Sequence, residues 1–209
     1  RIHVLDSYTA NRIAAGEVVE RPASVVKELL ENAIDAGATA VTIETKGGGL
    51  ESIRVSDNGI GINADDVATA FLPHATSKIA TTDDLFSINT LGFRGEALPS
   101  IAAVSKVTMR TKQKDAANGV LLRINGGDII ENHEAGVPDG TTIECEDLFY
   151  NVPARLKFIK SARAESAHIS DYVSRMIMAR PDIKIKLIQS GRTVFHSEGD
   201  GELDSAIAC

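Results

Sequence analysis

Glu28 and Asn32 stand one helical turn apart, and further on the chain runs Asp57-Asn58-Gly59-Ile60-Gly61. Residues at i and i+4 share a helix face, so the carboxylate and the amide point the same way. A carboxylate there can orient and deprotonate a water, and a side-chain amide oxygen is a hard ligand of the kind Mg²⁺ takes. Glu31 and Asp35 lie on the same stripe, and spacing alone does not say which acid acts. Ile53, Val55 and Asp57 share one parity, so an acid points to the side of core residues. A carboxylate buried in this way needs a donor. The exocyclic amine of adenine is one, and Gly59 and Gly61 let the backbone pass close to a flat base. A tight turn closing a strand uses the same residues.

A third stretch, Gly92-Phe93-Arg94-Gly95, precedes a helix opened by Glu96, Ala97 and Leu98. Glycines at a helix start expose amide N–H groups toward an anion. Thr76, Ser77 and Lys78 add hydroxyl donors and a cation, and Gly140-Thr141-Thr142 opens a strand with a hydroxyl for the neighbourhood of the base. Together these residues describe a pocket for a purine nucleotide with a metal ion. Taken singly, each has a plainer reading as a solvated helix face, a turn or a loop. No Gly-x-x-x-x-Gly-Lys-Ser/Thr is present, which excludes a P-loop. His3, His74, His133, His168 and His196 show no metal spacing. Arg155, Lys157, Lys160 and Arg163 form a basic cluster read as a solvated helix face in preference to a phosphate contact.

The elements that must position these groups follow from pattern. Pro22 suits a helix first turn and Gly37 its end. Between them Val25, Val26, Leu29, Leu30, Ala33 and Ile34 fall on one half of a helical wheel, and Glu28, Glu31, Asn32 and Asp35 on a narrow stripe opposite. Strands are predicted over 40–45 and 52–57, with a glycine hairpin loop at 47–49, and a short helix over 64–72. Residues 73–95 are polar and read as a long lid. A helix covers 96–103, strands 104–111, 119–125, 128–134 and 141–148, a helix 164–179, and strands 183–189 and 192–197. Residues 1–16, with Tyr8, read as an N-terminal arm, 17–197 as one domain, and 198–209 as a linker. The class is α+β: a two-layer sandwich of helices on one face of a mixed, mostly antiparallel sheet.

With 209 residues, 43% of them apolar, the chain can build one substantial core. Its formal charge of −7 disfavours tight duplex binding by this stretch alone. Cys145 and Cys209 show neither metal nor disulfide spacing and fit a reducing interior. No apolar run is long enough to span a bilayer and no signal peptide is visible, so no membrane is expected. A start at Arg1 without Met and an abrupt stop at Cys209 suggest part of a longer protein, or its ordered part.

The order ELLENAIDAG, DNGIGI, GFRGEAL and GTT resembles the GHKL ATPase superfamily. The stretches IAAGEVVERPASVVKELLENAIDAGA, HATSKI, LGFRGEALPSIA and DLFYNVPARLKF are similar to the MutL family of DNA mismatch repair proteins, over residues 11–180. That resemblance implies a Bergerat ATP-binding fold and ATP with Mg²⁺ as cofactors. It implies Glu28 as general base and Asn32 as metal ligand. It implies Asp57, helped by Thr141, on the adenine amine, and Gly92, Phe93, Arg94, Gly95, Glu96, Ala97 and Leu98 around the phosphates, with Thr76, Ser77 and Lys78 nearby. It further implies a slow ATPase switch in the bacterial cytoplasm. ATP would order the lid and arm and join two N-terminal domains as a homodimer, read by the mismatch recognition protein MutS and downstream repair factors. DNA would be held mainly by other regions, and a lysine from a following domain would be needed for full turnover. Two rivals are a histidine-type protein kinase, for which no phosphoacceptor domain is seen, and a module that senses nucleotide without hydrolysing it. A third, DNA binding without ATP, is opposed by the charge.

Overall fold

The structure, a computed structural model, describes residues 15–16, 18–78, 90–92 and 95–208. Helix α1 spans Pro22–Asp35. Proline at its first turn loses no hydrogen bond that the helix would have made. Its apolar half, Val25, Val26, Leu29, Leu30, Ala33 and Ile34, is buried as the wheel predicts.

That half lies on an eight-stranded sheet with spatial order β5-β4-β3-β6-β2-β1-β7-β8. The strands are β1 (Ala40–Lys46), β2 (Ser52–Asp57), β3 (Lys106–Lys112), β4 (Gly119–Asn125), β5 (Asp128–Ala135), β6 (Gly140–Glu146), β7 (Lys184–Gln189) and β8 (Arg192–His196). Among the described strands only the β1–β7 pair is parallel, and every other neighbour pair is antiparallel. The expected α+β class is therefore observed. Alternate residues Val41, Ile43, Ile53, Val55, Val107, Met109, Ile143, Cys145, Ile185 and Leu187 face the helices and are buried. Each such side chain contributes roughly 1.5–3 kcal/mol of transfer free energy. Cys145 is a free thiol inside this core, and burial pushes it up to about 12, so it is not a nucleophile at neutral pH.

The remaining helices are α2 (Ala97–Ala103), α3 (Pro153–Leu156), α4 (Ala162–Ala179) and α5 (Leu203–Ile207). Ser161 caps α4 through its side chain, and the helix ends two residues before Pro181. The helix predicted over 64–72 is instead two 3₁₀ turns, Ala64–Asp66 and Thr69–Phe71. Asn63 accepts from the Asp65 amide and ties down the start, and Val67 and Phe71 are the only buried residues of the run. Two apolar anchors do not drive propagation of a longer helix. The segment read as a linker contains α5, whose Ala206 is buried. Residues 1–14 of the arm, the middle of the lid at 79–89, Phe93 and Arg94 lie outside the described residues. No helix among the described residues is long and apolar enough to cross a membrane.

Candidate functional site

The polar stripe of α1 does not face open solvent. Its three acids are engaged to different degrees, and the difference is set by what packs over each turn of the helix. Glu31 is 9% exposed. One of its oxygens accepts from the Tyr172 hydroxyl of α4 at 3.0 Å and the other from Lys27 Nζ at 3.1 Å. Burial raises the Tyr172 phenol, and the Glu31 charge beside it raises it further. Asp35, one turn on, takes Lys78 Nζ at 2.6 Å and the amides of Leu91 and Gly92 at 3.0 and 3.1 Å. Burial works to raise its carboxyl, but Lys78 and those two amides together outweigh it and hold the group below the ordinary value. Glu28 has the most exposed side chain of the three, at 23%. Lys27 Nζ takes its Oε1 at 3.1 Å, and its Oε2 has no partner among the described residues.

The two ends of the lid meet on the last turn of α1. Lys78 Nζ donates to Asn32 Oδ1 at 2.9 Å as well as to Asp35, and its own amide donates to Thr76 Oγ1 at 3.1 Å. Thr90 Oγ1 donates to the Gly92 carbonyl. Gly95 has φ +65°, and a Cβ there would sit 2.5 Å from the Ala75 carbonyl, so glycine is required for the stems to close. Of the amides expected to wrap an external anion, that of Gly92 meets the Asp35 carboxylate, together with the neighbouring Leu91 amide. Ser77 is exposed, Glu96 and Ala97 sit where α2 begins, and Leu98 packs against the core rather than toward Lys78.

The bend after β2 forms the second wall. Ile60 N donates to the Ala36 carbonyl at 3.0 Å, which docks the bend on the C-terminal end of α1. The glycines serve this packing: a Cβ on Gly59 would lie 2.8 Å from Ala36 O, and one on Gly61 would lie 2.2 Å from Lys112 O. Asn58 Oδ1 accepts from the amides of Thr39 and Ala40, both at 2.9 Å, and fixes the start of β1. Asp57 accepts from Gly59 N at 2.8 Å. Burial pushes its carboxyl above the ordinary range against the Gly59 and Thr141 amides, which pull it down. Thr141 Oγ1 lies 2.9 Å from Thr111 Oγ1, and Thr111 also accepts from Ile62 N and donates to Gly140 O.

Thr111 was missed in the sequence, although it carries a signal: a hydroxyl at the parity of Val107 and Met109. Tyr172 was missed because its role arises only when α1 meets α4; Lys27 was missed although its i,i+4 spacing to Glu31 on α1 was a local signal. Arg155, read as part of a solvated face, is instead half-buried. It donates to the Val19 carbonyl at 3.0 Å and lies 5.8 Å from the Phe149 ring centre, pinning the approach to α1. A cavity of about 560 Å³ reaches the edge of Asp57 and Thr141, but Arg54, Ser56, Arg110, Thr142 and Glu144 line it. Those residues alternate with the core, so it lies on the open face of the sheet, away from Glu28. No cluster of three or more His, Cys, Asp or Glu suited to a metal occurs among the described residues. A Mg²⁺ held by Asn32 would draw its other ligands from phosphate and water, as this ion commonly does. The amide oxygen of Asn32 fits that use, and Lys78, held there by Asn32 and Asp35 together, marks the spot as one that accepts a cation.

This architecture is that of a known group. Residues 20–156 match the family described as histidine kinase-, DNA gyrase B-, and HSP90-like ATPase, and the chain belongs to it. It is similar over 99% of its length to DNA mismatch repair protein MutL of Clostridium tetani, at 56% identity over 207 residues, and of Clostridium beijerinckii, at 54%. The chain spans about a third of the length of these relatives, 33% and 31%. Among solved structures, the Aquifex aeolicus MutL ATPase domain complexed with ADP aligns with TM-score 0.73 and 29% identity, covering 91% of this chain and 68% of that one. The N-terminal domain of a DNA repair protein aligns with TM-score 0.80 and 28% identity, over 95% and 59%.

Proposed function

We propose that this chain binds ATP with Mg²⁺ against α1, the bend at 57–61 and the lid, and hydrolyses it slowly as the switch of a DNA mismatch repair protein. The observation that carries this reading is the convergence of both lid stems on Asn32 and Asp35. Lid order and the proposed metal and phosphate contacts then depend on the same groups. The MutL relatives, and the ADP named with the Aquifex aeolicus domain, agree with it.

In this reading residues 17–197 act as one ATPase domain with a lid at 73–95. Asp57 accepts from the adenine amine, and Thr141 supports it through water. Asn32 supplies one metal ligand; bound Mg²⁺ would offset charge on the phosphates. Glu28 presents Oε2, unpartnered among the described residues, to a water, orients it and takes its proton, while Glu31 and Asp35 have their oxygens already occupied. When ATP arrives, Lys78 and the Gly92 amide exchange Asp35 for phosphate oxygens, and the Gly92–Leu98 segment wraps them. The lid then orders, two copies associate, and MutS and downstream factors read the closed state in the bacterial cytoplasm. DNA contacts lie mainly in other regions of the full-length protein.

Glu28→Ala in the full-length protein is expected to keep nucleotide affinity within about twofold and to lose hydrolysis by roughly 10²–10⁴-fold, the range of a positioned general base. Equal phosphate release from variant and parent would remove Glu28 from that role. Parent protein that binds ATP and releases no phosphate would favour a sensing module instead.

A further inference from the structure

Glu28 is joined by contacts to a residue far from it in sequence and on another helix. Lys27 Nζ lies 3.1 Å from Glu28 Oε1 and 3.1 Å from Glu31 Oε2. Glu31 Oε1 in turn accepts from the Tyr172 hydroxyl at 3.0 Å. The side chains run from 45% exposed at Lys27 to 11% at Glu31. An exposed lysine beside an acid on its own helix is weakly restrained, because a surface pair gains little and loses side-chain entropy. Here one end of the bridge is a buried carboxylate whose other oxygen is fixed by α4. Lys27 therefore has a defined seat between two acids that would otherwise repel across one helical turn. The bridge engages Oε1 of Glu28 and leaves Oε2 without a partner among the described residues.

We propose that Tyr172 and Glu31, acting through Lys27, are positioning residues that aim the free oxygen of Glu28 at the attacking water. This rests on the reading of Glu28 as the base. The physical ground is the steep dependence of such chemistry on placement: a misplacement of about 1 Å can lower a rate about 100-fold. None of the three is among the residues assigned to the nucleotide. Each acts on where the carboxylate points and leaves the binding groups alone. The device also ties the base to the packing of α4 on α1, so a shift between those helices would change hydrolysis before it changed binding.

The test is steady-state ATPase assay and calorimetric ATP-analogue binding on the full-length protein, with Glu28→Ala run alongside. Tyr172→Phe removes one hydroxyl and should lower kcat about tenfold, the effect of losing one hydrogen bond to a charged group, with KM and affinity unchanged. Lys27→Met should lower kcat about tenfold or more on the same ground, and Lys27→Arg, which can still bridge two carboxylates, should restore most of it. In the Lys27→Met background, Tyr172→Phe should add no further loss, because both remove the same chain of contacts. A Tyr172→Phe protein with parental kcat, or losses that multiply in the double variant, would overturn the positioning role. If Glu28→Ala hydrolyses like the parent, the base assignment itself has failed. If it is inactive while Tyr172→Phe is normal, only the positioning chain has.

Discussion

Asp57 is a carboxylate whose two backbone amide donors do not offset its burial. Burial holds its carboxyl above the ordinary value of 3.8, against the Gly59 and Thr141 amides. Folded protein then binds more protons than unfolded protein between 3.8 and the raised value, so its favourable contribution is complete only below 3.8 and is lost as pH rises through the folded value. Asp57→Asn removes that ionisation. Without nucleotide, its melting temperature relative to the parent should climb as pH goes from about 4 to 7. Adenine-nucleotide affinity should nonetheless fall about tenfold, the effect of one hydrogen bond to a charged group. Unchanged affinity by calorimetry would contradict the base-recognition role. At this scale much could be read from spacing: the parity of Asp57 and the i,i+4 pair of Glu28 and Asn32 are local. Tyr172 meets Glu31 from 141 positions away, and no local pattern announces it.

Among the elements, α1 and the strand alternation were legible because period and burial agree along them. The run at 64–72 was not, since its two anchors satisfy a turn as readily as a helix. The lid stems show how an element is held by a single residue. Asp35 collects Lys78, Leu91 N and Gly92 N, and it belongs to the helix that carries Asn32 and Glu28. Its lowered carboxyl means this contribution is present in full above 3.8 and is lost as pH falls through the depressed folded value. Asp35→Asn should loosen the stems of nucleotide-free protein by about 1.5–3 kcal/mol, the scale of a hydrogen bond to a charged group. Hydrogen exchange at the Leu91 and Gly92 amides is the measurement, and protection equal to the parent would show that the stems close for another reason.

For the whole molecule, the class was legible and the strand order was not. Helices early and hairpins late imply layers, but β6 entering between β3 and β2, and β7 pairing parallel with β1, are non-local pairings. Those two pairings carry Thr141 to Asp57 and bring β7 to the strand after α1. The site is consequently a product of topology: α1, a bend seated on its end, and a lid anchored to its last turn. A crystal structure of the full-length protein with a non-hydrolysable ATP analogue and Mg²⁺ tests this most directly. The account predicts the adenine amine on Asp57, the metal on Asn32, and Lys78 moved from Asn32 to phosphate. Nucleotide bound in the open-face cavity by Arg54 and Arg110, with the Lys78–Asn32 contact intact, would contradict it.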